Sequence, residues 1–208
     1  MAALRILGRV TSINMRKVQW TADLIGIEYE TELWGAPHRD PKAPEYLALN
    51  PNGLVPVIIE DGFVLWESNA IMRYLADTRR SGLWPAEGRE RALVDQWLTW
   101  QVSELNPSWV YAHQALLRRN PAYTDPARIA QSIAQWNKAM ELLDRHLARS
   151  GGFAANGRVS LADIVLALSS HRWLMTDFEK PDLPAVTEHH ATMQRTEAGA
   201  RHLRADVP

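Results

Sequence analysis

The hydrophobic period of this chain changes once, and that change limits what it can fold into. Residues 1–77 mix strand-like and helix-like patterns, whereas residues 89–208 carry helical spacing with no convincing strand. Between them, residues 78–88 (TRRSGLWPAEG) hold the Gly and Pro of a linker. One sheet cannot absorb both patterns, so the sequence predicts a small α/β domain followed by a larger all-α domain. A length of 208 residues suits that division.

Within the first domain, RILG is a short apolar run ending at Gly8, which predicts a strand. A helix follows from about Asn14 to Leu24, with Val18, Ala22 and Ile25 on one face and Gly26 ending it at C′. IEYETEL, residues 27–33, alternates Ile27, Tyr29, Thr31 and Leu33 against acidic residues, so it reads as a strand with one wet face. The two strands of such a β-α-β unit are parallel. Residues 34–53 contain four prolines and read as loop, with a short helix available in PEYLALN. VPVII and FVLW flank Glu60-Asp61-Gly62, a hairpin signal. Helical spacing returns from Ser68 to Ala76 with Ile71, Tyr74 and Leu75 inward. The predicted order is β-α-β-loop-β-β-α.

In the second domain, residues 89–118 and 126–149 are long amphipathic segments. Ser160 opens a further helix, with SLAD as a capping box in which Asp replaces the usual Glu. Trp97 and Trp100, three apart on one helix, read as core.

Composition excludes several classes. A net charge of −1 argues against a nucleic-acid binder, whose affinity rests on clustered Lys and Arg. The chain has no cysteine, so disulfides, zinc ribbons and a nucleophilic thiol of its own are out. Any thiol chemistry needs a thiol that arrives with a ligand. The seven histidines form no metal-ligand spacing, and there is no P-loop, GxGxxG or GxSxG. Arg5 and Arg9 interrupt the N-terminal apolar run, and no stretch reaches the roughly 20 apolar residues that span a bilayer. The expectation is a cytoplasmic protein with no membrane or nucleic-acid partner and no metal.

The stretch LVPVIIEDGFVLWES, residues 54–68, carries the chemistry. Proline cannot donate to a sheet ladder, so Pro56 at the head of an apolar run belongs at an edge or a special turn. A cis Val55-Pro56 bond would turn the Val55 N–H and C=O toward an extended, peptide-like ligand. Glu67-Ser68 stands where the second hairpin strand gives way to a helix. The free N–H groups there suit a carboxylate, and Glu67 suits an ammonium, so one turn offers both charges to an α-amino acid group. A serine N-cap beside a solvated glutamate explains the same two residues without a ligand.

With its spacing, the segment NPNGLVPVIIEDGFVLWESNAIMRYLAD resembles the glutathione-binding region of cytosolic glutathione transferases, and SLADIVLA resembles that family's second-domain capping box. The resemblance covers nearly the whole chain and implies a thioredoxin-like first domain and an all-helical second one. It implies that Val55, beside Pro56, pairs by main chain with the cysteine of glutathione, and that Glu67 and Ser68 hold its γ-glutamyl end. Lys42 falls at a basic position that contacts the glycyl carboxylate in relatives. The neighbouring position, often histidine there, is Pro41 here, and His38 stands nearby in the loop.

Glutathione must react as thiolate. Lowering a thiol pKa of about 8.5 by one to two units takes roughly 1.4–2.7 kcal/mol. One hydrogen bond to a charged group supplies about 1.5–3 kcal/mol, so a single donor suffices. In RVTSINMRKV the donors are Thr11, Ser12 and Asn14. The resemblance is to serine-type enzymes, theta-like and bacterial, and puts Ser12 at the catalytic position and Asn14 where some bacterial members use asparagine. It further implies an electrophile pocket, with Trp109, Tyr111, His113, His171 and Trp173 as contributors, and a homodimer working in detoxification. Three functions stay open at this point. The first is conjugation of glutathione to a small hydrophobic electrophile. The second is glutathione-dependent disulfide or peroxide reduction. The third is a non-catalytic ligand- or protein-binding module.

Overall fold

Strands β1 (Leu4–Gly8), β2 (Tyr29–Leu33), β3 (Val57–Glu60) and β4 (Phe63–Trp66) form one mixed sheet in the computed structural model, which describes residues 3–207. Their order is β2-β1-β3-β4. β1 and β2 run parallel, from Leu4 opposite Tyr29 to Gly8 opposite Leu33, joined by helix α1 (Ile13–Leu24). β3 is antiparallel to β1, and β4 to β3. The β3–β4 turn is Asp61-Gly62 alone, with φ of 48° and 84°, the two left-handed residues that a type I′ hairpin requires. Gly26 ends α1 at φ +69°, and the Ile27 N–H returns to the Ala22 carbonyl at 3.0 Å.

Side chains alternate across the sheet, giving two packed faces. Leu4, Ile6 and Ile58 face Met15 and Val18 of α1 and Ile71 and Leu75 of α3 (Ser68–Thr78). Leu7 and Val57 face the opposite way, against Trp34 and Tyr46, the latter on the short helix α2 (Pro44–Leu47). This layering is the thioredoxin-like α/β arrangement.

Three local departures from the pattern have physical causes. β2 begins at Tyr29 rather than Ile27, and Leu33 is 41% exposed. Glu32 is half-buried instead, because it pairs with Arg5 and Arg39 and accepts from the Trp34 indole at 2.9 Å. β3 begins at Val57, one residue past Pro56, so the proline stands outside the ladder. Helix α1 buries every residue from Met15 to Ala22, not one face only. Its polar groups find partners: Arg16 donates to the Val207 carbonyl at 2.9 Å, Lys17 to Asn69 Oδ1 at 3.3 Å and Gln19 to Thr31 Oγ1 at 3.2 Å.

The chain divides into two units. The first runs to Ala86 and takes in Val207; the second spans Glu87–Asp206. Among the described residues the second unit is helical with no strand: α4 (Gly88–Trp100), α5 (Asn106–Ala112), α6 (Pro126–Arg149), α7 (Leu161–Met175), α8 (Pro184–Gln194) and α9 (Glu197–His202). Two π-helical turns, Gln101–Leu105 and His113–Leu117, link α4 and α5 into one run and extend it. Pro107 lacks an N–H and its ring crowds the carbonyl four residues back, at Ser103, so the first wide turn sits where the proline needs it. Helix α7 is buried from Leu161 to Trp173 and forms the centre of the unit. No helix among the described residues is long and apolar enough to cross a membrane.

Candidate active site

Strand register gathers the candidate residues of the first unit. Leu7 of β1 lies opposite Val57 of β3, and Val57 lies opposite Trp66 of β4. The end of β1, the start of β3 and the end of β4 therefore share one edge of the sheet. The segments carrying Ser12, Val55-Pro56 and Glu67-Ser68 all emerge there. Gly8 measures how close they come: a Cβ on it would lie 2.8 Å from Met15 Sδ and 3.4 Å from Val55 Cβ.

Ser12 is the N-cap of α1, with extended backbone at φ −88° and ψ 121°. Its Oγ accepts from the Met15 N–H at 3.4 Å, and its own hydroxyl proton goes to no described residue. Hydroxyl and helix N-terminus thus present a donor and positive potential at one spot. Asn14, two residues on in the first turn of α1, is half-buried, and its amide is bonded to no described residue.

Val55-Pro56 is a cis peptide. The Leu54 carbonyl just before it accepts from the Tyr46 hydroxyl at 2.9 Å and from Asn50 Nδ2 at 2.8 Å. The Val55 N–H and C=O are left without a partner among the described residues. Asn50 also accepts from the Asn52 N–H at 3.0 Å, an Asx turn that shapes the approach. Gly53, at φ +59°, lets Lys42 pass: a Cβ there would strike the Lys42 side chain at 2.7 Å. Lys42 Nζ donates to the Asn52 carbonyl at 2.7 Å, which fixes the exposed side chain against this turn and leaves two of its three protons.

Glu67 precedes α3 at φ 72° and ψ 109°, a left-sided backbone that costs a non-glycine residue of order 1–3 kcal/mol. Its carboxylate is exposed and bonded to no described residue. Ser68, at the first position of α3, is 7% exposed. Asn69 follows it and accepts from buried Lys17 of α1, tying the two helix starts together.

In the second unit, Trp109, Tyr111 and His113 lie on α5 and its π turn. Trp109 packs edge-on to His113 at 5.1 Å, near Trp136 at 6.0 Å and under the Arg172 guanidinium at 4.8 Å. Burial, and then the charges of Arg172 and Arg118, hold the His113 imidazole neutral by lowering its pKa to about 3. Its Nδ1 has no hydrogen-bond partner among the described residues. Tyr111 is half-buried against Tyr123 and beneath Arg128. His171 and Trp173 are placed differently. His171 bonds His190 at 3.0 Å and the Arg204 carbonyl at 2.9 Å, and the Trp173 indole donates to Asn137 at 2.9 Å. At 3% and 2% exposure these two serve the unit's own core.

Tyr46, Asn50 and Lys17 belong to the site's framework, and pattern reading of the sequence assigned them no role. Asn50 had a local signal, since Asn-Pro ahead of Gly marks an Asx turn. Tyr46 and Lys17 had none, because their partners lie 8 and 52 residues away. Among the described residues no three His, Asp or Glu side chains cluster as a metal site would require.

The profile of the glutathione S-transferase N-terminal domain matches residues 11–78. The glutathione S-transferase GstB of Escherichia coli K12 is 33% identical over 167 residues, covering 79% of this chain and 80% of its own. A theta class glutathione S-transferase from the citrus canker pathogen Xanthomonas axonopodis pv. citri, solved with glutathione bound, superposes with a TM-score of 0.88 at 35% identity over 98% of both chains. A glutathione S-transferase structure from Xanthobacter autotrophicus Py2 gives 0.84 at 26% identity, over 94% of this chain and 95% of the other. A thioredoxin-like sheet followed by a helical unit is the fold these relatives share with it: the chain belongs to the glutathione S-transferase family and is a glutathione transferase.

Proposed function

We propose that the chain binds glutathione at this sheet edge and conjugates its thiolate to a small hydrophobic electrophile. The observation that carries the reading is the convergence of Ser12, Val55-Pro56 and Glu67-Ser68, fixed by the register of Leu7, Val57 and Trp66. Val55 pairs its unpartnered main chain with the cysteinyl backbone of glutathione. Glu67 takes the γ-glutamyl ammonium, while Ser68 and the first amides of α3 take its carboxylate. Lys42 offers its two remaining protons to the glycyl carboxylate.

Ser12 donates its free hydroxyl proton to the thiolate, while the N–H it accepts from Met15 polarises that donor. One such bond is worth about 1.5–3 kcal/mol, enough to bring the thiol into the neutral range. No protein base is needed. Holding both reactants side by side supplies the rest of the acceleration. Trp109, Tyr111 and the neutral His113 are the apolar contributors proposed for the electrophile. The setting proposed for the enzyme is a cytoplasmic homodimer in detoxification, with assembly read by sedimentation.

Calorimetric titration with reduced glutathione, in two buffers of different ionisation enthalpy, tests the reading. Wild type is expected to bind with proton release near neutral pH, and Ser12→Ala to bind without it. Absence of binding by wild type at millimolar glutathione overturns the proposal.

A second reading is glutathione-dependent disulfide or peroxide reduction with Asn14 as thiolate donor. The uncommitted amide of Asn14 in the first turn of α1 favours it. Full conjugating activity in Asn14→Ala rejects this reading; disulfide- or peroxide-reducing activity retained in Ser12→Ala and lost in Asn14→Ala favours it.

A further inference from the structure

The strand order β2-β1-β3-β4 lines up four segments along one sheet edge: Gly35-Ala36 after β2, Ser12 after β1, Val55 before β3 and Glu67 after β4. Parallel pairing of Gly8 with Leu33 brings the first of these to that edge, and the Trp34 N–H bonds the Gly8 carbonyl at 3.0 Å. The proposed glutathione occupies the last three positions, with its γ-glutamyl end at Glu67 and its sulfur at Ser12. Lys42, later in the loop after β2, is turned to the Asn52 carbonyl ahead of β3. The first position, beyond the sulfur, is left to the molecule that the sulfur attacks.

Arg9 stands there. The Ser12 N–H bonds the Arg9 carbonyl at 3.0 Å, a β-turn that holds the two Cα atoms within about 7 Å. The Arg9 side chain runs past Gly35, where a Cβ would lie 3.1 Å from its Cδ, and its Nη1 donates to the Ala36 carbonyl at 2.7 Å. That neutral acceptor is its one hydrogen-bond partner among the described residues, with which it forms no ion pair. Its Nε is buried and has no partner. Arg5 and Arg39, by contrast, both pair with Glu32. Arg9 is thus a half-buried cation beside the thiolate position, with donors unanswered by the protein.

We infer that Arg9 selects electrophiles that carry a carboxylate, an inference that rests on the conjugation reading. The carboxylate meets the guanidinium beyond the reacting carbon, while the thiolate attacks from the Ser12 side. Planar oxygens match the guanidinium fork two at a time. An uncharged electrophile leaves the cation unanswered, so the discrimination appears in kcat/KM between two substrates alike in shape. With an aryl chloride the C–S bond forms, the C–Cl bond breaks and chloride leaves with the electron pair. The carboxylate takes no part in that exchange.

The test compares 4-chloro-3-nitrobenzoate with 4-chloro-3-nitrobenzamide on the full chain, each corrected for its uncatalysed rate with glutathione. Wild type is expected to favour the acid at least tenfold in kcat/KM. Arg9→Gln lowers that ratio at least tenfold, chiefly through KM for the acid, and Arg9→Lys restores part of it. Arg39→Gln, whose cation already answers Glu32, leaves the ratio in place. Raising salt from about 0.05 to about 0.5 M reduces the preference, as a partly exposed charge contact requires.

Conjugation of the amide with no preference for the acid overturns the inference and leaves the conjugation reading standing. Conjugation of neither compound by a chain that binds glutathione with proton release overturns it too. Absence of glutathione binding overturns both. If Arg9→Gln raises KM for glutathione with either compound and leaves the ratio unchanged, Arg9 serves the glycyl carboxylate, and the inference is rejected.

Discussion

Two serines cap two helices in this molecule, and they do opposite work. Ser160, ahead of α7, is 2% exposed, and its N–H and hydroxyl both donate to one Asp163 oxygen at 2.8 Å. The other Asp163 oxygen accepts from the Ala154 N–H at 2.8 Å and from His189 at 3.2 Å. Four donors thus converge on one carboxylate. Ser12, ahead of α1, has Met15 three residues on instead of an acid, accepts one long bond, and keeps its proton. Residue type and helix position are the same in both. What separates a stabilising cap from a candidate thiolate donor is the partner three residues later.

Several substitutions probe that contrast, beginning with the largest. Asp163→Ala leaves buried donors from Ser160, Ala154 and His189 unanswered, and is expected to cost about 3–5 kcal/mol in denaturant unfolding. A loss under about 1 kcal/mol would reduce the box to an ordinary cap.

Ser12→Ala is expected to lower kcat/KM for conjugation by roughly 10²-fold, the effect of removing one donor to a developing anion. Stability should fall by only about 1 kcal/mol. Ser160→Ala should invert that pattern, with stability reduced by about 1–3 kcal/mol and activity preserved in the folded fraction. Equal kinetic losses in both variants would erase the distinction.

Asn50→Ala removes one of two donors to the Leu54 carbonyl, and is expected to raise KM for glutathione about tenfold with kcat held. Parallel losses in kcat and KM would mean that the turn positions more than the binding strand.

The second unit should also respond to acid. Burial, and then the charges of His171 and His189, lower the His190 pKa from 6.5 to about 4. The unfolded chain therefore binds the extra proton first, and stability falls as pH drops from 6.5 toward 4, while it is complete above that window. His113 adds to the same slope throughout and extends it toward pH 3, since burial and then the charges of Arg172 and Arg118 lower its pKa to about 3. His190→Gln should flatten the fall in Tm across this window; an unaltered slope would assign the effect to other groups.

The smallest effect is expected from Lys42→Ala. The side chain is exposed, so KM for glutathione should rise about threefold, with a screened charge contact of at most about 1 kcal/mol.

The strands, helices and turns that local chemistry governs are legible in the sequence. Gly26 stops α1, Asp61-Gly62 turns the hairpin, and Ser160 with Asp163 opens α7, because in each case the deciding groups lie within four residues of one another. The order of elements followed from periodicity for the same reason. Less of the site could be read. Ser12, Val55 and Glu67 are visible as candidates, but their convergence depends on Leu7, Val57 and Trp66 lying abreast, which is a property of sheet register. His171 and Trp173 look like pocket residues in sequence, yet α7 is central and encloses them.

By itself, then, the sequence determined the two-part α/β and all-α plan, the absence of any cysteine chemistry of its own, and the helix-start and turn positions where a ligand can be met. Tertiary structure alone decided that the Leu54 carbonyl is pinned by Tyr46 and Asn50, and that Glu67 holds a left-sided backbone. The physical reason is range. Caps, turns and periodicity are settled by bonds and angles between near neighbours along the chain, whereas a site is settled by which distant segments the sheet and helix packing bring within hydrogen-bonding distance.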